Sequence, residues 1–144
     1  MTSTADQLNT LLADYQVHYQ KLRNYHWNVR GPMFFELHLK FEELYNAAAL
    51  KVDEIAERVL ALETKPLSTL KSQLAAATLV EDEGDPDAKT MVANTLADLE
   101  SLNTSIRALV GSAGEAGDDA TVNLIEPFAD EQEKTAWMLK AFLG

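Results

Sequence analysis

From Met33 to Leu62 the chain runs thirty residues without a glycine or a proline, and its apolar side chains keep helical spacing throughout. Leu37, Phe41, Leu44, Ala48, Val52, Ile55, Val59 and Leu62, turned by about 100° per residue, fall within an arc of roughly 80°. Such a helix commits one face to a core and depends on other helices to cover it. The rest of the sequence supplies them. Leu8, Leu11, Leu12, Tyr15, Tyr19, Leu22, His26 and Val29 mark a first helix over about residues 5–29. Gly31-Pro32 closes it, because proline disfavours a helical residue before it and readily opens the next helix. Met91, Val92, Leu96, Leu99, Leu102, Ile106, Leu109 and Val110 mark a third long helix. Val122, Ile125, Phe128, Ala136, Leu139 and Phe142 mark a fourth. The glycine-rich stretch 111–117 is expected to break the third, and Asp118 or Asp119 to cap the fourth.

The connection over residues 63–86 is long by loop standards, and its segment 68–77 predicts a short helix. The acidic run that follows reads as a solvated loop, with Asp85 as N-cap and Pro86 as first residue of the third long helix. Two tight hairpins joined by one long crossover describe an all-α, ferritin-like four-helix bundle, a single domain over residues 1–144. An up-down-up-down bundle needs no such middle connection. No repeat, low-complexity tract or strand pattern interrupts this reading.

Charge and composition exclude several functions. The absence of cysteine removes disulfides, thiolate nucleophiles and Cys-ligated metal sites. Twelve Lys and Arg against 23 Asp and Glu give a formal charge of −11, which repels a phosphate backbone and attracts cations. No apolar run is long enough for a membrane span, and the first residues lack the basic start and apolar stretch of a signal peptide. A cytoplasmic protein is the expectation.

The polar residues of the second helix are not placed at random. With His38 at 0°, Glu42 lies near 40°, Asp53 near 60° and Glu57 near 100°, all off the core stripe. Spacing of four residues pairs His38 with Glu42 and Asp53 with Glu57. Imidazole with carboxylate suits Fe(II), Mn(II) or Zn(II). The two pairs, however, stand fifteen residues apart, about 22 Å along the axis, so no metal can touch both within one chain. Two copies of this helix crossing antiparallel on a two-fold axis, near residues 47 and 48, remove the difficulty. Asn46 and Ala49 are small enough to permit close approach there, and His26 can reach the His38 end. The plainer reading is that acids four residues apart are merely solvated and histidines merely structural, as His18 is expected to be among the core tyrosines.

The element Tyr25-His26-Trp27-Asn28-Val29-Arg30-Gly31-Pro32, then Phe34-Phe35-Glu36-Leu37-His38 and Asp53-Glu54-Ile55-Ala56-Glu57-Arg58, resemble the signature of the Dps proteins. These are the mini-ferritins named as DNA-binding proteins from starved cells. The likeness runs through Pro66-Leu67-Ser68-Thr69-Leu70 to Trp137-Met138-Leu139-Lys140-Ala141-Phe142-Leu143-Gly144. It implies a dodecameric shell of four-helix subunits that oxidises Fe(II), preferentially with hydrogen peroxide, at inter-subunit sites and stores the Fe(III) as mineral. Carried over by position, the ligands are His26, His38, Glu42, Asp53 and Glu57. Many members have Asp where this chain has Glu42, one methylene longer. No histidine here has Glu three residues earlier, so the intra-bundle Glu-x-x-His di-iron motif of larger ferritin-like proteins is missing.

The resemblance also implies that Trp27 lies near the iron and supplies an electron to the oxidant, with interface packing as the plain alternative. Trp137 is expected in the core or an interface. Asp118, Asp119, Asn123 and Glu126 resemble the family's acidic entry pore, although helix capping explains the aspartates equally well. The rival function is DNA compaction. Members that compact DNA commonly use a lysine-rich tail, whereas residues 1–7 carry no Lys or Arg and Gly144 follows the last helix directly. DNA binding is therefore not expected. A purely structural oligomer would make the clustered histidines and acids a coincidence.

Overall fold

In the computed structural model, which describes residues 2–144, five helices follow one another: α1 (Thr4–Asn28), α2 (Phe34–Ala61), α3 (Leu70–Ala76), α4 (Ala88–Glu115) and α5 (Asp119–Leu143). The described residues contain no strand. α1 packs along α2 and α4 along α5, while α1 also touches α4 and the short α3 of the crossover. This is the all-α four-helix bundle expected from the stripes. Leu37, Phe41, Ala48, Ile55 and Val59 of α2 are buried, with Leu44, Val52 and Leu62 packed at the margin of the same cluster.

Capping sets the helix starts. Ser3 accepts from the Asp6 amide while Asp6 reaches back to the Ser3 amide, a capping box that opens α1. Two expectations need correction. The cap of α4 is Asp87, not Asp85: its carboxylate accepts from the Thr90 amide at 2.9 Å. Pro86 therefore precedes the cap, and Asp85 is exposed and pairs with Arg30. Nor does Gly111 end α4. The helix continues through Gly111 and Gly114 because Leu109 and Ala113 keep burying its apolar face, which offsets a propensity cost of about 1 kcal/mol per glycine. The break comes at Gly117, whose φ of +76° suits a residue without Cβ. There Gly117 N–H donates to Gly114 O and Asp118 N–H to Ala113 O, completing a Schellman cap.

The long crossover is tied to α1 by buried or half-buried polar groups. The Asp14 carboxylate, 2% exposed, accepts from the Thr78 amide and hydroxyl and from the Leu79 amide at 2.6, 2.7 and 2.9 Å. Tyr25 donates its hydroxyl to Asp82 at 2.6 Å, and Asn9 bonds Lys65 O and the Leu67 amide. Just beyond the C-terminal end of α1, Gly31 (φ +111°) turns the chain straight into α2. That turn sets the last turn of α1 beside the first turns of α2.

Candidate metal centre

His26 and His38 meet at this hairpin. Their rings stack with centroids 3.8 Å apart and an interplanar angle of 12°. Each Nδ1 lies 2.7 Å from the other residue's backbone carbonyl. A carbonyl only accepts, so both Nδ1 atoms carry the hydrogen, and in the neutral form of each ring the lone pair is on Nε2. His26 O is available for this because it lies in the final turn of α1, where carbonyls lack helical partners. The reciprocal bonds therefore fix tautomer and orientation, as the outer hydrogen bonds of metal-binding histidines do.

Glu42 stands one turn beyond His38, with Oε1 3.8 Å from His26 Nε2. In the tautomer just derived, nitrogen and carboxylate are both acceptors, and a shared proton or cation is what would draw them together. His26 is buried, while His38 and Glu42 are half-buried. Phe34 flanks the His38 ring at 4.9 Å, and Tyr45 meets the His26 ring edge-on at 5.3 Å. Neither aromatic was singled out from sequence. The signal for Tyr45 was its position seven residues after His38, two turns along the same face.

Asp53 and Glu57 do not join this group. Both are exposed on the last third of the same uninterrupted helix. Among the described residues, no three His, Asp or Glu side chains of one chain converge closely enough to hold a metal ion. Phe35, Leu39 and Leu50 share the outer face of α2 with the two acids and are 81%, 55% and 68% exposed. An uncovered apolar stripe of this kind is what a partner surface looks like.

The bundle interior holds a different arrangement. Lys51 is 6% exposed, and its ammonium pairs with Glu131 at 3.1 Å and lies 5.3 Å from the centre of the Phe128 ring. With Tyr15, His18 and Gln132 it borders a space of about 20 Å³, room for one water. The interior thus carries its own cation. His18 is buried as expected, and burial, then Lys21 and Lys51, lowers its pKa to about 3, so it stays neutral.

The remaining candidates are dispersed. Trp27 is 57% exposed, with the Arg23 guanidinium 4.9 Å over its ring. It borders a cleft of about 270 Å³ between α1 and residues 81–83 of the crossover. Trp137 is not in the core: it is 64% exposed, because Ala136 and Leu139 occupy the inward positions of α5. Asp118 caps α5 through the Thr121 amide and hydroxyl and receives Arg58 at 2.7 Å. Burial alone would raise its pKa, but the Thr121 bonds and Arg58 outweigh it and hold the carboxyl below the usual range. Its oxygens are thus already engaged, whereas Asp119, Asn123 and Glu126 are exposed along α5.

Residues 5–144 match the family model described as a ferritin-like domain. General stress protein 20U of Bacillus subtilis is 42% identical over 137 residues, covering 95% of this chain and 94% of that protein. The DNA protection during starvation protein of Brevibacillus brevis is 42% identical over 136 residues, covering 94% and 91%. Among solved structures, Dps from Vibrio cholerae O1 superposes with a TM-score of 0.95 at 42% identity, covering 98% of this chain and 89% of that one. It is described as a member of a broad superfamily of ferritin-like diiron-carboxylate proteins. Dps from Listeria innocua soaked with zinc gives a TM-score of 0.96 at 34% identity, with coverage of 99% and 97%.

Proposed function

The chain belongs to the ferritin-like family and within it to the Dps proteins, and on that premise we propose that it is a ferroxidase and iron-storage shell with sites shared across a two-fold interface. Iron binding and protection by iron storage are the general property of the family. The finer reading assigns His26, His38 and Glu42 of one subunit and Asp53 and Glu57 of its partner to each site. Fe(II) is the substrate. The anionic oxygens bind it and favour the Fe(III) product, while the Nε2 atoms complete the donor set. Hydrogen peroxide accepts two electrons and two protons to give two waters, one electron from each of two Fe(II), so no hydroxyl radical is released. A homo-dodecamer would enclose the resulting mineral, with Asp119, Asn123 and Glu126 along an entry path.

The observation that carries this reading is the division of the ligand set along one straight helix. His38 and Glu42 lie at its start, with His26 of α1 stacked against His38. Two acids lie about 22 Å further on, on the face that also exposes Phe35, Leu39 and Leu50. Antiparallel pairing of two such helices would bring the halves together and cover the apolar stripe in the same step. The test is the Asp53→Asn/Glu57→Gln variant, checked for assembly by native mass. Fe(II) consumption with peroxide should fall to the level of a protein-free control. Oxidation at the unmodified rate in a correctly assembled shell would remove these residues from the site.

A further inference from the structure

The polar groups inside the bundle find one another, with one exception. Tyr15 donates its hydroxyl to Gln132 Oε1, and Gln132 Nε2 donates to Asn103 Oδ1 at 2.7 Å. Burial pushes the Tyr15 phenol well above its usual range, so it keeps that proton, and its oxygen can still accept. Lys51 directs one ammonium hydrogen at Glu131 and has two more to give. His18 is the exception. It is 3% exposed, neutral, and edge-on to Tyr15 with ring centroids 6.3 Å apart. No protein group among the described residues hydrogen-bonds to its ring; burial and the charges of Lys21 and Lys51 are what shift its pKa. Every fully enclosed side-chain nitrogen or oxygen among the described residues has a partner. A His18 nitrogen without one must therefore front on open volume. The space that His18 borders, about 20 Å³, is also bordered by Tyr15, Lys51, Glu131 and Gln132.

We propose that this space is a binding site for a single water molecule, which accepts a hydrogen bond from the Lys51 ammonium and donates to the His18 ring and the Tyr15 oxygen. The site does not depend on the ferroxidase reading. Size, polarity and charge each select water. A buried water needs about 10–15 Å³ and two to four polar partners, so 20 Å³ takes one and not two. One donor and two acceptors complement a molecule that accepts and donates twice. An anion would stand beside the Glu131 carboxylate and a metal ion beside the Lys51 ammonium, and burial strengthens either repulsion. The water also has a structural consequence. Lys51 and Glu131 bridge α2 to α5, while Tyr15, Gln132 and Asn103 link α1, α5 and α4. Through the water these two groups become one network that crosses all four long helices, with His18 as a member. A fully satisfied network of this kind holds a core to one arrangement.

The experiment is a crystal structure of the assembled, unsubstituted protein at a resolution that shows ordered water, repeated on crystals soaked with Fe(II) and with bromide. A single peak should lie about 2.7–3.2 Å from Lys51 Nζ, a His18 ring nitrogen and Tyr15 Oη, with no anomalous signal there at the iron or bromine edge. No peak at that position would overturn the proposal. So would an anomalous iron peak, which makes the space a metal site, or a bromine peak, which makes it an anion site. In solution, oxygen-17 relaxation dispersion counts the long-lived internal waters of each chain. His18→Phe removes the acceptor and should lower that count by one, while His18→Gln retains a polar side chain and should leave it unchanged. Equal counts in all three proteins would also overturn the assignment. Should His18→Phe fail to fold, the crystals of unsubstituted protein decide alone.

Discussion

Consider one variant in which His26 and His38 are replaced by alanine and a second in which Asp53 and Glu57 are replaced. α2 is continuous from Phe34 to Ala61, so the fifteen residues from His38 to Asp53 span about 22 Å. Metal–ligand bonds are about 2 Å. Within one chain the two halves cannot meet, and each variant alone should lack half of every site. In shells refolded from an equal mixture, random pairing makes about half the two-fold pairs mixed. A mixed pair holds one site with every ligand, its histidines from the acid variant and its acids from the histidine variant. The other site has almost none. Intact sites are then about a quarter of the total, and Fe(II) oxidation by peroxide should recover to roughly a quarter of the wild-type rate. Variants folded separately and mixed afterwards serve as the control and should stay inactive. A site built within one chain predicts no recovery. Its absence in shells proven by native mass to contain both variants would refute the shared-site geometry.

Other outcomes follow from particular contacts. Asp14→Ala leaves the Thr78 and Leu79 amides without their acceptor and should cost about 3 kcal/mol, read as a lower denaturation midpoint with faster hydrogen exchange at those amides. His18 cannot take a proton in the fold until about pH 3, whereas the unfolded chain takes one near pH 6.5. Its folded pKa is depressed, so stability falls as pH drops through that window, by at most about 5 kcal/mol in all. His18→Gln should flatten the profile in urea titrations, and an unchanged slope would contradict the assignment. With a net charge of −11 and Lys21, Arg30, Lys40, Lys51, Arg58, Arg107 and Lys140 all paired to acids, the protein should not retard plasmid DNA at physiological salt. Salt-sensitive retardation without bridging metal would count against this.

What could be read from the sequence, and what could not, divides along physical lines. The stripe of α2 was legible because burial repeats with the helical period, and so was the four-helix plan. The end of α4 was not, because burial of Ala113 outweighs the local cost of two glycines and only the third, Gly117, adopts a conformation that stops the helix. The α4 cap was misplaced because aspartates flank Pro86 on both sides; Asp87 is the one that accepts from the amide three residues on, while Asp85 pairs with Arg30, fifty-five residues away. Lys51 reads as a surface residue until α5 brings Glu131 and Phe128 against it, eighty residues on in the case of Glu131. The partners of these charged groups lie far along the chain, and helical periodicity carries no information about them. The His26–His38 contact falls between these cases. Its twelve-residue spacing places both histidines near one turn, but the reciprocal carbonyl bonds that fix their tautomers exist only once that turn has folded. Asp53 and Glu57 go one step further. On a rigid helix their distance from His38 is set by sequence alone, and that fixed distance argues that the residues completing their site belong to another chain.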